Sequence, residues 1–316
     1  MKTATPATPA RSSARESARP LRPGMSEAEL KLLQALIYEE CGMFFDERRA
    51  HFLEDRLQRR LKAKGIATFY QYYRLLTSAP GREELTELVE SLTINETSFF
   101  RNKPQLELFQ KTVLDELLRR RHGERDYTMR IWSAGCSTGQ EPFTLAMLMC
   151  DALSYYQLRY PHPAREIAGR TLVPPPWKLA LVASDISYGA LRAAQEAAYS
   201  DQQMEGVDCM YRLRYFDRDN GRFLVKKALR ELVHFDFHNL KSEYLPQNND
   251  VIFCRNVMIY FDEPEQKRLV EKLFRCLKPG GYLFIGHAET LYGVSNRFRM
   301  LHEKHGTAYQ RLEVTS

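Results

Sequence analysis

A chain of 316 residues, 44% of them hydrophobic, can fill one large core or two ordinary ones, and its formal charge of +6 is modest for that length. Six cysteines, at 41, 136, 150, 209, 254 and 276, form no Cys-x-x-Cys pair and no metal-ligand spacing with histidine, which argues against a disulfide framework and against a zinc site. No uncharged apolar run approaches the roughly 18 to 20 residues of a membrane span, and the first residues carry no apolar export core, so a globular protein of the cytoplasm is expected, without membrane insertion and without a metal.

Residues 1 to 24 set Lys2, Arg11, Arg15, Arg19 and Arg22 against Glu16 in a Thr, Ala, Pro and Ser background and read as a disordered basic tail. Ser26 followed by Glu29 is a capping box, opening a helix that turns Leu30, Leu33, Leu36 and Ile37 inward. Helical spacing returns over 48 to 64 (Phe52, Leu53, Leu57, Leu61), 68 to 77 and 82 to 92, with Gly65 and Pro80-Gly81 as breaks. Residues 25 to 93 are therefore expected to form a small all-helical domain. Over 47 to 64, seven basic side chains face three acidic ones, so the positive charge is confined to the tail and to this helix. Arg49, Arg56, Arg59, Arg60 and Lys62 crowd into one broad basic surface. Such a surface is either a solvated helix face or a dock for an acidic partner, with attraction that falls as salt rises. Charge this localised, with no basic groove rich in aromatics, speaks against nucleic acid as the partner.

The stretch 94 to 104 is a polar linker, Asn95-Glu96-Thr97-Ser98-Phe99-Phe100-Arg101, before Pro104 opens a helix carrying Leu106, Phe109, Val113 and Leu117. Met129, Ile131 and Trp132 then break into small residues with Gly135 and Gly139, and apolar residues resume at helical spacing from Phe143 to about Leu153. This is a strand, a tight turn and a helix, the place where a parallel α/β sheet binds its ligand. No Lys follows Gly139, and the glycines are four apart, so neither a P-loop nor a dinucleotide fingerprint fits. Glu141 would repel a phosphate and accept from an ammonium group, which suits a ligand with an amino-acid end; the alternative is an acid that merely favours the helix N-terminus.

Residues 154 to 177, with Pro161, Pro163 and Pro174 to Pro176, read as a long surface loop. Leu179 to Ala183 is a buried strand ending at Ser184-Asp185, where Asp185 is either a ribose acceptor or a helix N-cap. From about 211 to 236, Asn220-Gly221 between apolar runs and the later run Leu232 to Phe235 predict a small inserted antiparallel β-subdomain, followed by Asn239-Leu240. Asp250 to Cys254 is another buried strand that stops at Arg255-Asn256. A helix from Pro264, a turn at Lys278 to Gly281, a strand from Tyr282 to Ile285 and a last strand from Thr307 to Leu312 complete the alternation of a doubly wound sheet over 105 to 316.

Four separated stretches then agree: Asn95 to Arg101, Gly135 to Pro142, Ala183 to Ile186, and Phe253 to Phe261 with its run Arg-Asn-Val-Met-Ile-Tyr-Phe. In that order and company the chain resembles the CheR family of S-adenosylmethionine-dependent methyltransferases, which esterify glutamates of bacterial chemoreceptors. The resemblance implies a class I, Rossmann-like methyltransferase sheet with S-adenosylmethionine as cofactor and S-adenosylhomocysteine as product. It implies that Asn95, Thr97 and Arg101 contact the cofactor from the linker, that Gly135 lines it, that Glu141 holds its amino group and Asp185 its ribose. Asn239, Leu240, Arg255 and Asn256 would close over adenine and ribose. Arg101 and Tyr260 would set the methyl donor against the incoming carboxylate, with a core role for Tyr260 as the alternative. Arg56, Arg59, Arg60 and Lys62 would dock on the helical cytoplasmic domain of the receptor, so the enzyme would be recruited to receptor arrays.

A glutamate is already ionised at neutral pH, with an ordinary pKa of about 4.3, so this chemistry needs no general base and rests on alignment and loss of water. The short hairpin turn near Asp217 to Arg222 predicts independence from a receptor C-terminal tether peptide. The competing expectation is an adaptor that binds S-adenosylmethionine or its demethylated product and signals without turnover.

Overall fold

The computed structural model describes residues 25–160, 171–304 and 306–312, so the tail expected over 1 to 24 lies outside the described residues. The capping box at Ser26 is formed: Glu29 N–H donates to Ser26 Oγ at 3.2 Å and Ser26 N–H to the Glu29 carboxylate at 2.8 Å. It opens α1 (Glu27–Cys41), followed by α2 (Ala50–Lys64), α3 (Phe69–Leu76) and α4 (Arg82–Leu92). Leu33, Ile37, Leu53, Leu57, Leu88 and Leu92 pack a core of their own with no solvent exposure. The third-turn spacing read from the sequence supplies these residues.

One polar group enters that core. Glu84 is buried and accepts from Arg60 Nε at 2.9 Å, Arg60 Nη2 at 2.7 Å, Tyr72 Oη at 2.7 Å and Lys64 Nζ at 3.0 Å. A buried carboxylate must be partnered, and Arg60 is spent on that task. This corrects the expected docking face: Arg60 turns into its own domain, while Arg59 and Lys62 remain exposed and Arg56 lies over the Phe52 ring at 4.9 Å.

The second domain is a seven-stranded sheet built from β1 (Thr128–Ala134), β2 (Lys178–Asp185), β6 (Val233–Phe237), β7 (Asn249–Cys254), β8 (Leu277–Ile285), β9 (Phe298–Glu303) and β10 (Gly306–Arg311). Their order is β6-β2-β1-β7-β8-β10-β9, parallel from β6 to β8 and antiparallel where β10 meets β8 and β9. Ile131 sits opposite both Leu181 and Val251, and alternate strand residues feed two separate cores. Ile131, Leu181 and Phe253 face the helices Lys103–Leu108 (α5), Leu114–Glu124 (α6) and Gln140–Arg159 (α7); Trp132, Ile252 and Leu283 face the helix Glu263–Cys276. All six residues of β7 are buried because helices cover both faces.

Four expectations change. The helix α7 continues past Leu153 to Arg159, because Tyr156 and Gln157 go on burying against Trp177 and the Pro175 carbonyl. The loop expected from 154 therefore starts later, and its residues 161–170 lie outside the described residues. The antiparallel subdomain is assembled from β3 (Ala198–Tyr199), β4 (Phe216–Asp219) and β5 (Arg222–Val225) in the order β3-β5-β4, around a two-residue turn with Asn220 at φ 45° and Gly221 at φ 76°. The run Leu232 to Phe235 does not belong to it: β6 pairs parallel with β2, an apolar run alone being silent on which strand it joins. Lys278 to Gly281 is no simple turn either. Asn249 pairs with Leu277 and Val251 with Tyr282, so these four residues bulge within β8 opposite Asp250. Finally, β9 adds an edge strand that was not anticipated.

Candidate active site

At the carboxyl end of β1 the chain turns through Gly135, at φ 83°, towards α7. A Cβ at Gly135 would stand 2.5 Å from Val257 Cγ2, so the turn approaches the loop after β7 more closely than any side chain allows. Between these turns, the linker before α5 and the helical domain lies a cavity of about 450 Å³. Asn95, Thr97, Arg101, Gly135, Glu141, Asp185, Asn239, Leu240, Arg255, Asn256 and Tyr260 all line it. Cys41, Met43 and Arg49 of the helical domain complete its wall.

Two of its charges form a pair. Glu141 accepts from Ser133 Oγ at 2.7 Å and from Arg255 Nη1 at 3.3 Å. Burial pushes the Glu141 carboxyl above its ordinary range, against the pull of Arg255, Ser133 and Arg101. Burial likewise lowers the Arg255 guanidinium, whose Nη2 also donates to the Arg101 carbonyl at 2.8 Å. Arg255 Nε is buried and has no partner among the described residues. The resemblance groups Arg255 with Asn239 and Leu240 over adenine and ribose; all three line the cavity, and the Arg255 guanidinium stands beside Glu141.

Asp185, at the end of β2, accepts the Ser187 N–H at 3.0 Å and the Ser137 N–H at 2.8 Å, tying the turn after β2 to the turn after β1. It is not the helix N-cap, a part taken by Ser187, which accepts from Ala190. Burial raises the Asp185 carboxyl. A carboxylate offers about four acceptor positions, and with the Ile186 N–H also acting on it at least one is left for a ligand. Asn239 is more committed: its Nδ2 donates to the Glu40 carbonyl at 2.7 Å and its Oδ1 accepts from Lys241 N–H at 3.0 Å, which staples the sheet tip to α1. Asn95 Nδ2 donates to Thr93 Oγ1, and the Asn95 carbonyl accepts from Ser137 Oγ.

Arg101 Nη1 donates to the Glu96 carbonyl at 2.9 Å, closing the linker on itself. Tyr260 donates its hydroxyl to the Ile94 carbonyl at 3.2 Å, and its ring packs partly against the helical core. Burial raises the phenol, which therefore stays protonated and serves as a donor.

Two residues here escaped the sequence reading. Glu289, beyond the tip of β8, accepts the backbone N–H groups of Asn256 at 3.2 Å and Ile259 at 3.3 Å, so one half-buried carboxylate holds the loop that carries Tyr260. The signal that singled out Asp185, an acid just past a strand end, was present there too. Arg49 had been counted into the basic face of α2, yet it lines the cavity, with its guanidinium 5.4 Å from the Tyr260 ring centre. No sequence signal separates it from its basic neighbours.

The family described as "CheR methyltransferase, SAM binding domain" matches residues 95–161 and 168–307, and "CheR methyltransferase, all-alpha domain" matches residues 28–93. The chain is 32% identical over 275 residues to a chemotaxis protein methyltransferase of Borreliella burgdorferi, covering 86% of this chain and 91% of that one. It is 33% identical over 285 residues to the chemotaxis protein methyltransferase of Escherichia coli, covering 88% and 90%. Against chemotaxis protein methyltransferase 2 of Pseudomonas aeruginosa the identity is 34% over 269 residues, covering 83% and 86%.

Proposed function

The chain belongs to the CheR methyltransferase family, and from that premise we propose that it converts glutamate side chains on the cytoplasmic helices of chemoreceptors into methyl esters with S-adenosylmethionine. The observation that carries this reading is the underfilled Glu141–Arg255 pair facing Arg101 and Tyr260 across one cavity.

The wall fits such a cofactor. Gly135 leaves backbone bare where a side chain would collide with Val257, and a desolvated acid stands at each end of the strand tips, Glu141 and Asp185. Glu141 would take the ammonium group, with Arg255 Nε near the same end as an unpaired donor. Asp185 would use its remaining acceptor capacity on the ribose hydroxyls, while Asn239 and Leu240 border the base. When bound, S-adenosylmethionine supplies an electrophilic methyl group.

The chain's own residues then have three tasks. Arg101 presents N–H donors to the substrate carboxylate, and the Tyr260 hydroxyl, on exchanging the Ile94 carbonyl for that carboxylate, fixes its direction of approach. The helical domain, stapled by Asn239 to Glu40 and by the Phe44 N–H to the Tyr260 carbonyl at 2.9 Å, roofs the cavity and removes water. No group abstracts a proton, since a glutamate enters as carboxylate. Arg56, Arg59 and Lys62 form the reduced docking face, and the two-residue hairpin turn of the β-subdomain supports action without a receptor tether peptide. Incubation with methyl-labelled cofactor and receptor-bearing membranes tests the reading: label should appear as base-labile esters at glutamates in a mass-spectrometric map. Cofactor binding with no transferred label would leave a sensing adaptor instead.

A further inference from the structure

Arg49 is the residue just before α2, and like Arg212 and Arg311 it donates to carbonyls beside a ring instead of to an acid; unlike those two, it lines the cavity. Arg60 is paired with Glu84, Arg121 with Asp250 and Arg255 with Glu141. Arg49 makes no ion pair among the described residues. Its Nη1 donates to two carbonyls, Phe44 at 3.2 Å and Ile259 at 3.4 Å, and its guanidinium lies over the rings of Phe45 at 5.0 Å and Tyr260 at 5.4 Å. A guanidinium carries five N–H donors. Those on Nε and Nη2 make no hydrogen bond among the described residues.

The position is as telling as the missing anion. Arg49 from the helical domain and Arg101 from the linker line the same cavity as Tyr260, and both pull against the burial that raises its hydroxyl. Around Arg49 the cavity wall is apolar and half open: Ile94 is 53% and Ile259 51% exposed. An apolar rim weakens solvent screening and strengthens an ion pair made inside it.

We propose that Arg49 is a specificity residue: it receives the incoming side-chain carboxylate beside Tyr260 and distinguishes glutamate from glutamine at the modified position. The inference rests on the methyl-transfer reading above and adds a domain that reads the substrate's charge. A carboxylate forms charge-assisted hydrogen bonds with the open N–H groups; a carboxamide offers a weaker neutral acceptor and leaves the cation unpaired.

The test uses the full chain loaded with S-adenosylhomocysteine and a receptor fragment that the wild type methylates, with the modified position as Glu or as Gln. The wild type should bind the Glu form about tenfold more tightly, the scale of one charge-assisted contact. Arg49→Gln keeps a donor for the Phe44 and Ile259 carbonyls but removes the charge. It should abolish the preference, raise KM for the fragment roughly tenfold and leave cofactor affinity and melting temperature unchanged. Arg49→Lys should retain part of the preference. If an active wild type and Arg49→Gln show the same Glu-over-Gln ratio, Arg49 only ties the domains together and the proposal is overturned. If the wild type methylates no receptor fragment, the underlying reading falls first, which separates the two failures.

Discussion

The two ends of β7 hold comparable burial and opposite accounts of it. At the base, Asp250 has no solvent exposure, and its carboxylate accepts from the Arg121 guanidinium, from Lys278 Nζ at 3.1 Å and from the Arg130 N–H at 2.8 Å. Past the tip, Arg255 is 8% exposed, its Nε has no partner, and the acid it meets, Glu141, is held above its ordinary range by burial. Burial alone does not mark a site. A buried polar group whose partners are complete is holding the fold together, whereas one left short of partners, beside a cavity, is placed for something that arrives later.

Removing the base charge breaks the comparison most sharply. Asp250→Ala removes the buried acid that Lys278 and Arg121 share, leaving Arg121 only Glu124 and Asp126, and should cost about 3 to 5 kcal/mol of unfolding free energy, read as a fall in denaturant midpoint, while the fraction that stays folded binds cofactor normally. At the tip the pattern should invert. Glu141→Gln removes a buried charge and should leave the denaturant midpoint unchanged or raised, but weaken cofactor binding by about 2 to 3 kcal/mol, measured by calorimetry. Equal losses of stability at both ends would erase the distinction.

The pH dependence follows from the same acid. With its folded pKa raised, Glu141 adds stability that is fully present below its unfolded pKa and lost as pH rises through the folded one. Cofactor affinity should run the other way, increasing through that window as the carboxylate ionises and then levelling. Glu141→Gln should make the slope of log Kd against pH shallower by up to one proton.

Within the helical domain a smaller contrast separates two neighbours on α2. Arg60→Met uncovers the buried Glu84 and should cost about 2 kcal/mol of stability with KM for receptor unchanged. Arg59→Glu should leave the melting temperature alone and raise that KM a few-fold at low salt, an effect that fades as salt screens it.

Much of this was legible from residue order. Helical spacing located α1 to α4, the capping box located the first of them, and small residues between apolar runs marked the turn at Gly135. Strand ends also pointed to Asp185 and Arg255, because in a parallel sheet chemistry gathers where strands stop. The pairing of β6 with β2, the bulge at Lys278 to Gly281 and the extension of α7 were not legible, since each depends on a distant surface that the local pattern does not name.

The sequence by itself determined which segments are helix or strand, and which side chains reach the sheet tips, because periodicity and turn chemistry act over a few residues. Only the tertiary structure decided what each charge does. Arg49, Arg59 and Arg60 are alike in sequence and lie within a dozen positions. One lines the cavity beside Tyr260, one faces solvent and one neutralises a buried acid. That division is set by which groups from 24 to about 210 residues away come to lie against each of them, and no local pattern encodes it.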